Sequence, residues 1–358
     1  MKRISFIALT LLVTVMGTQA KSWKVGPNSV VGMDFTSIND AMSKITAGDT
    51  LYLDQYYNES NEQTVTKRVV IIGTGYDTSQ TDEQVVARLT GNLILKVNNI
   101  SVKSVLLNNV QFFADNCSLD RCYTGIIQVG STTAGMNHVY SCYVTGRIQG
   151  YSESSCSKLD VQNCVIIDNS CNFESKGCHN LFYLTESIIN HNIIYKSINQ
   201  YYTPYADSFC LSYISNSQIT NNVIYGYNSG REVFYNRDMA EGVYASGSGN
   251  TIEHNIFSGT IELSYFPENK TGWRDKWESI FVCEGKYSDY YRLATDSGDN
   301  PAVGYATDGG EVGCHGGMFG CPAGGRPQYI PYFTKVTVGS RVENGKLPVS
   351  VTIKIQDE

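Results

Sequence analysis

Two stretches of this 358-residue chain concentrate side chains suited to acting on a ligand. "INQYYTPYADS" presents Tyr201, Tyr202 and Tyr205, and "YNSGREVFYNRDMAEG" presents Arg231, Glu232, Arg237, Asp238 and Glu241, with Tyr244 just beyond. Aromatic faces pack against the apolar faces of sugar rings. A guanidinium fork binds carboxylates through paired N–H bonds. Together they suit a glycan site, in particular one for a uronic acid. β-Elimination on such a sugar needs a cation on the carboxylate, which acidifies the C5 proton, and a base beside that proton. Arg231 or Arg237 is assigned the cation role, with Tyr244 or a neighbouring Arg near the proton. The competing reading is that Tyr, 25 of 358 residues, is the ordinary aromatic of an exposed pleated surface.

The histidines divide. His191 and His254 precede equivalent Asn residues in two copies of a repeat, and His138 reads in the same way, so a polar surface row accounts for all three. His179, beside Cys178, is the histidine assigned to ligand contact.

The elements that position these groups begin after a leader. Lys2 and Arg3 precede an apolar run, Ile4 to Met16, too short to span a bilayer, and Thr18-Gln19-Ala20 offers a signal-peptidase site. Residues 1–20 therefore read as a signal peptide, and the product as an exported protein of the periplasm, cell surface or exterior, with no further transmembrane segment. Removing Lys2 and Arg3 takes the formal charge from −7 to −9. An acidic chain without a basic cluster argues against a nucleic-acid partner. Eleven cysteines in an exported chain suggest disulfides, and the odd count leaves at least one unpaired. Short loops would be closed by Cys117 with Cys122, Cys171 with Cys178, and Cys314 with Cys321.

One five-residue pattern recurs: aliphatic, two polar or small residues, Asn or Cys, then apolar. It reads "LLNNV", "VYSCY", "VQNCV", "INHNI", "ITNNV" and "IEHNI", with Asn109, Cys142, Cys164, Asn192, Asn222 and Asn255 in fourth place. Copies lie 22 to 33 residues apart, room for about three short strands. A sandwich would show turn signals every 8–12 residues and no recurring corner residue. A solenoid of stacked parallel coils requires both features. Stacked corners would bring these side chains about 4.8 Å apart. Asn suits that slot because its amide donates to one neighbour and accepts from the other, and Cys142 and Cys164 would fill it as small buried groups.

A solenoid has open ends that need covering. Phe35, Ile38, Ala41, Met42 and Ile45 fall at helical spacing, with Asp34 or Thr36 to cap the helix and Gly48 to end it. Here a resemblance becomes specific. "WKVGPNSVVGMDFTSINDAMSKITAGDTLYLDQYYNE" resembles the N-terminal cap of the pectin-lyase-like right-handed parallel β-helix superfamily, and "TKRVVIIGTGYD" its second rung. "YYRLATDSGDNPAVGYATDGGEVGCHGG", Tyr290 to Gly317, resembles the closing rungs of secreted bacterial members. The fold class this implies is all-β: a right-handed parallel β-helix over residues 21–326, with a cap helix near 35–46. Residues 327–358 then form a C-terminal β-hairpin tail turning at Asn344-Gly345.

The resemblance also implies where ligands lie: along the first strand of each coil, between loops. The repeat places those strands near Ile126–Val129, Arg147–Gln149, Leu181–Leu184, Phe209–Tyr213 and Val243–Ala245. The loops would be 114–124, 168–180, 197–208 and 227–241. Arg147, His179, Tyr183, Tyr201, Tyr202, Tyr205 and Tyr213 are the substrate-binding candidates, and Arg231, Arg237 and Tyr244 the catalytic ones. The hydrolase motifs of this fold, Asn-Thr-Asp, Asp-Asp, Gly-His-Gly and Arg-Ile-Lys, do not occur, nor do the established pectate lyase motifs. The expected partner is an extracellular polysaccharide, bound and cleaved by a lyase or bound by a catalytically silent surface, adhesion or scaffold protein of the cell envelope. No cofactor is predicted, with calcium the one alternative left open although no motif supports it. Asp34, Asp40, Asp49 and Asp54 cluster in the cap, but no run forms a calcium loop.

Overall fold

A computed structural model describes residues 20–76, 86–130, 135–168, 179–196, 209–225, 234–235, 249–258, 267–273, 280–281, 294, 300–320, 332–338 and 349–354. Its strands are short, and each pairs in parallel with the equivalent strand of the next coil. A ten-stranded sheet runs from Ser22–Val25 through Ser101–Lys103, Ser118–Asp120, Asn137–Tyr140, Leu159–Gln162, Ile188–Asn190 and Gln218–Thr220 to Thr251–Glu253. A fifteen-stranded sheet folds back on itself to supply the other two sides of each coil. In chain order, a coil passes from Leu159–Gln162 to Val165–Asp168 to His179–Thr185 and then to Ile188–Asn190 in the next rung. This is a right-handed parallel β-helix.

Inward side chains make one continuous core from Val25 to Phe257, with Leu119, Val139, Val161, Ile189 and Ile219 stacked at equivalent positions. Burying each such aliphatic chain contributes about 1.5–3 kcal/mol.

The corner after each strand of the ten-stranded sheet is two residues long. Its first residue is left-handed in coil after coil: Ser104, Arg121, Ser141, Asn163, His191, Asn221 and His254, all with φ between 49° and 57°. The second residue points inward and forms the column. Asn192 Oδ1 accepts the Cys164 N–H (2.9 Å), Asn222 Oδ1 that of Asn192 (2.9 Å), and Asn255 Oδ1 that of Asn222 (2.9 Å). Each Asn also donates through Nδ2 to a carbonyl of the preceding coil, for example Asn222 to Ile189 at 2.8 Å. Cys142 Sγ accepts the Cys122 N–H, and Cys164 Sγ that of Cys142, both at 3.4 Å. The Cys164 thiol donates to the Val139 carbonyl at 3.4 Å, repeating what the Asn amides do.

Two sequence expectations change here. Cys117 and Cys122 are buried thiols and not a disulfide. Cys122 belongs to the column, while the Cys117 Sγ–H donates to the Val97 carbonyl at 3.3 Å. Burial pushes the Cys122 and Cys142 thiols well above their usual range, which keeps them protonated as donors. Asn109 is not in the column. "LLNNV" lies inside the continuous strand Leu106–Phe112, and the equivalent corner is Ser104-Val105.

The cap helix is Ile38–Lys44, with Ile38, Ala41 and Met42 buried on the first coil. Ser37, rather than Asp34 or Thr36, caps it, its Oγ accepting the Asp40 N–H at 3.0 Å. Asp34 instead accepts the Lys24 N–H at 2.8 Å. Asp49 ties the cap together by accepting from Lys21 N (2.8 Å), Trp23 Nε1 (2.8 Å) and Thr46 N (3.0 Å). Burial alone would raise the Asp49 carboxyl, but these donors outweigh it and hold it down at about 2.

Residues 300–320 do not continue the coils. They form a strap running back along the outside of the corner. The Tyr305 carbonyl meets His254 Nδ1 (2.7 Å), Thr307 exchanges two hydrogen bonds with Asn221, Asn163 donates to the Cys314 and Gly316 carbonyls, and Ser141 Oγ donates to the Gly320 carbonyl (2.8 Å). Beside it, Ile280, Phe281, Ala302, Val312 and Cys314 join Val165, Ile193, Val223 and Ile256 in a second core outside the helix, with Trp273 packed against it. At the C-terminus, Tyr332–Val338 and Val349–Lys354 pair antiparallel, while the segment with Asn344-Gly345 lies outside the described residues.

Two outcomes test this arrangement. Asn222→Ala leaves the Asn192 N–H and two carbonyls without partners, so urea unfolding should show a loss on the order of 1–3 kcal/mol for each buried group orphaned. Asp49 has a folded pKa below its ordinary value, so its contribution is present above pH about 4 and is lost as pH falls through about 2. Asp49→Ala should therefore be destabilised at pH 7, with the difference from the parent protein shrinking below pH about 3 in acid-unfolding curves.

Candidate functional site

Coil length decides where a site has room. Successive column partners are 20, 22, 28, 30 and 33 residues apart along the chain. In the shorter coils a tight bend at Gly125, and then at Gly146, joins the two sides of the fifteen-stranded sheet. A Cβ on Gly125 would sit 2.7 Å from the Asn108 carbonyl oxygen, and one on Gly146 2.6 Å from that of Gly125. Longer coils carry their additional residues between Val165–Asp168 and His179–Thr185, and between Ile193–Lys196 and Phe209–Ser215. The face bordered by those insertions is the one on which the strands Ile148–Gln149, His179–Thr185 and Phe209–Ser215 lie side by side.

One strand expectation shifts. Residues 114–124 are not a loop, since they contain the strands Ser118–Asp120 and Tyr123–Thr124 of a complete coil. Beside Phe209–Ser215 the strand Phe234–Tyr235 pairs Leu211 to Phe234, and the strand expected near 243–245 lies outside the described residues.

A bulge gives this face its character. Leu181 and Leu184 both point inward at 0% exposure, with two residues between them, as do Leu211 and Ile214. The intervening Tyr183 (φ 60°) and Tyr213 (φ 50°) adopt left-handed backbone, so each strand breaks its in–out alternation there: Tyr183 and Tyr213 are half-buried, while Phe182 and Ser212 beside them are buried at 7% and 0% exposure. Their rings lie 5.2 Å apart and tilted by 43°. Phe182 packs on Tyr183 at 4.9 Å, and His179 packs on Phe182 at 5.4 Å and meets Tyr213 edge-on at 6.4 Å. Gly150 occupies the equivalent place one coil earlier, where a Cβ would collide with the Tyr183 carbonyl oxygen.

Arg147 forms the edge of this aromatic cluster. Its guanidinium carbon stands 5.9 Å from the centre of the Phe182 ring. Its Nε is buried without a hydrogen-bond partner, and no carboxylate pairs with it among the described residues. An anion-ready fork over an aromatic face fits a carboxylated ring. Towards the N-terminus the same face continues as the outward row Gln111, Gln128 and Gln149, in register. Asn109 sits beside it, donating to Asn92 Oδ1 at 3.2 Å and accepting the Ile126 N–H at 3.2 Å.

Of the sequence candidates, Arg147, His179, Tyr183 and Tyr213 thus come together. Tyr201, Tyr202, Tyr205, Arg231, Arg237 and Tyr244 lie outside the described residues, as do Cys171, Cys178 and Cys321. Cys314 is buried in the outer core. Phe182 and the three glutamines escaped the sequence reading, although strand alternation once the coils are aligned is a signal that finds them. On the ten-stranded sheet a second polar group gathers: Asp160 accepts from Tyr140 Oη (2.5 Å) and Gln162 Nε2 (2.7 Å) and lies 3.4 Å from His138 Nδ1. Burial raises the Asp160 carboxyl, but the bonds from His138, Tyr140 and Gln162 outweigh it and hold it below its ordinary value. In the cap, Asp49 is consumed by its three donors, Asp54 accepts the Tyr56 N–H and Asp40 pairs with Lys44. Among the described residues no group of three or more His, Cys, Asp or Glu side chains converges as a metal site would.

A parallel β-helix with an aromatic face edged by a guanidinium is the class of protein that these elements define. No family profile and no curated protein matches the chain. Among solved structures it is similar to one titled "Crystal structure of pectate lyase Pel9A", with a TM-score of 0.38 and 9% identity over 84% of this chain and 97% of that one. At that identity the likeness is one of fold alone. Among the described residues no helix is long and apolar enough to cross a membrane.

Gly150→Ala should force the Tyr183 bulge to move. Unfolding should show a loss on the order of 1–3 kcal/mol, and the near-ultraviolet tyrosine dichroism should change, whereas Gly32→Ala, with nothing within 4 Å of the added Cβ, should leave that signal intact.

Proposed function

We propose that this protein is exported and binds an acidic extracellular polysaccharide along the face formed by Arg147, His179, Phe182, Tyr183 and Tyr213. The observation that carries the reading is the Arg147 guanidinium, poised over Phe182 with a buried N–H lacking a partner. A uronate carboxylate would complete that fork while the sugar's apolar face packs on the tyrosines. Tyr201, Tyr202 and Tyr205 extend the aromatic surface in this reading.

The enzymatic form of the proposal is a lyase. Arg231 or Arg237 neutralises the carboxylate, Tyr244 or an Arg takes the C5 proton, the C4–O bond breaks, a C4–C5 double bond forms, and the departing oxygen takes up a proton. The second reading is a catalytically silent glycan-binding scaffold. It is favoured by the absence from the sequence of the hydrolase and established pectate lyase motifs of this fold.

Affinity electrophoresis against uronate and neutral polymers, run beside an ultraviolet assay for the unsaturated uronate product, separates these outcomes. Uronate polymers should retard the protein, and Arg147→Ala should weaken that binding about tenfold or more with little effect on neutral polymers. Binding with product lost in Arg231→Ala or Arg237→Ala marks the lyase, and binding without product marks the scaffold. No retardation by any uronate polymer, or equal loss towards neutral and acidic polymers in Arg147→Ala, would contradict the site.

A further inference from the structure

The strap covers a corner histidine whose neighbours are built differently. Along the corner, Ser141, Asn163, Asn221 and His254 all hydrogen-bond to the strap. His191 sits in the middle of this run at 2% exposure, and its Nδ1 is buried with no hydrogen-bond partner. The strap lies on the ring with no space between them. A Cβ on Gly316 would sit 2.6 Å from His191 Nδ1, and one on Gly317 2.7 Å from Cδ2, and Gly317 itself has φ 71°. Only glycine permits so close an approach at these two positions.

We propose that His191 is an acid-sensitive latch, and that protonating it unclasps the 300–320 strap from the corner. A neutral imidazole tolerates the buried slot beneath the two glycines, whereas an imidazolium there is cut off from solvent and its Nδ1 makes no hydrogen bond in the closed strap. The strap carries the titratable side chains Asp308, Glu311 and His315, of which Asp308 acts on the ring, and the neighbouring corners present the neutral amides of Asn163 and Asn221, with His254 one corner further along. Burial depresses the His191 pKa. Asp308 and the carbonyls of Gly313 and Glu311 oppose that shift without cancelling it. The sign follows: a proton binds more readily to the open state, so strap closure is strongest above the ordinary histidine value and weakens as pH falls below it. Release would bare the outer apolar strip of Val165, Ile193, Val223 and Ile256, which Ala302, Val312 and Cys314 now help to cover.

Two coils supply the control residue. Asn163 and Asn221 occupy the same left-handed position at φ 55° and 57°, so His191→Asn puts a native corner residue there without a titrating group. Ser141 supplies His191→Ser as a second variant should the first fold poorly. Amide hydrogen exchange of the full chain at the Thr307, Gly313 and Gly316 N–H groups, corrected for intrinsic rates, reads strap opening between pH 7.5 and 5. In the parent protein, opening should rise by up to about tenfold per pH unit below about 6.5. It should stay flat in His191→Asn and His191→Ser, and should persist in His254→Asn. A flat parent profile would overturn the latch, as would the same rise in both His191 variants.

Discussion

The structure depends on what happens to the backbone N–H at one two-residue corner. A parallel coil turns there through a left-handed residue, and the following N–H points into the interior, away from water. Leaving it unpaired would cost about 1–3 kcal/mol in every rung. The chain meets this with a side-chain acceptor from the next coil: Asn222 for Asn192, Asn255 for Asn222, and Asn269 for Asn255, which closes the column at 3.0 Å. Cys142 and Cys164 meet the same demand with sulfur, at the longer distance sulfur requires. On the other flank of the ten-stranded sheet, Ser187, Ser217 and Asn250 accept the N–H of Leu159, Ser187 and Ser217. With both flanks satisfied from within, the opposite side of each coil is left to vary in length.

That division of labour decides where the coils differ. Rungs without spare residues bend at glycine, and their outer face carries a plain row of glutamines. Rungs with spare residues carry them, in chain order, just before the strands that hold Tyr183 and Tyr213, where a bulge breaks the in–out alternation. The left-handed backbone of those two tyrosines costs on the order of 1 kcal/mol each, a strain retained at the position where the aromatic face forms. Arg147 extends the same surface with a positive group that pairs with no carboxylate among the described residues. The corner column, by contrast, is organised to hold the chain itself.

Much of the fold was legible because its constraint is local. Asn192, Asn222 and Asn255 show in the sequence since a buried corner N–H admits few substitutes for an amide. Asn109 shows equally well and misleads, because "LLNNV" imitates the corner within a continuous strand. Cys122 and Val105 hold true corner places yet carry no Asn to reveal them. The short spacings 117–122 and 314–321 suggested disulfides, but the first spans the strand Ser118–Asp120, which holds its two cysteines at opposite ends in different contacts. The strap was not legible. Its glycine-rich run resembles a terminal rung, and its partners, Ser141 to His254, lie from 51 to 179 residues away in the chain. For the same reason His191 and His254 read as surface residues: the segment that buries them is distant in sequence. At the site, Phe182 follows from alternation once the strands are aligned, whereas the placement of Tyr183 and Tyr213 needs the bulge, which alternation alone does not predict.

The most direct test of the column is a double-mutant cycle between Asn192→Ala and Asn222→Ala, read by urea unfolding. Side chains joined through Nδ2 and Oδ1 at 3.0 Å should couple by about 0.5–3 kcal/mol, the pair costing measurably less than the sum of its members. Losses that simply add, to within about 0.3 kcal/mol, would mean that the two amides do not touch and that the coils do not stack as described.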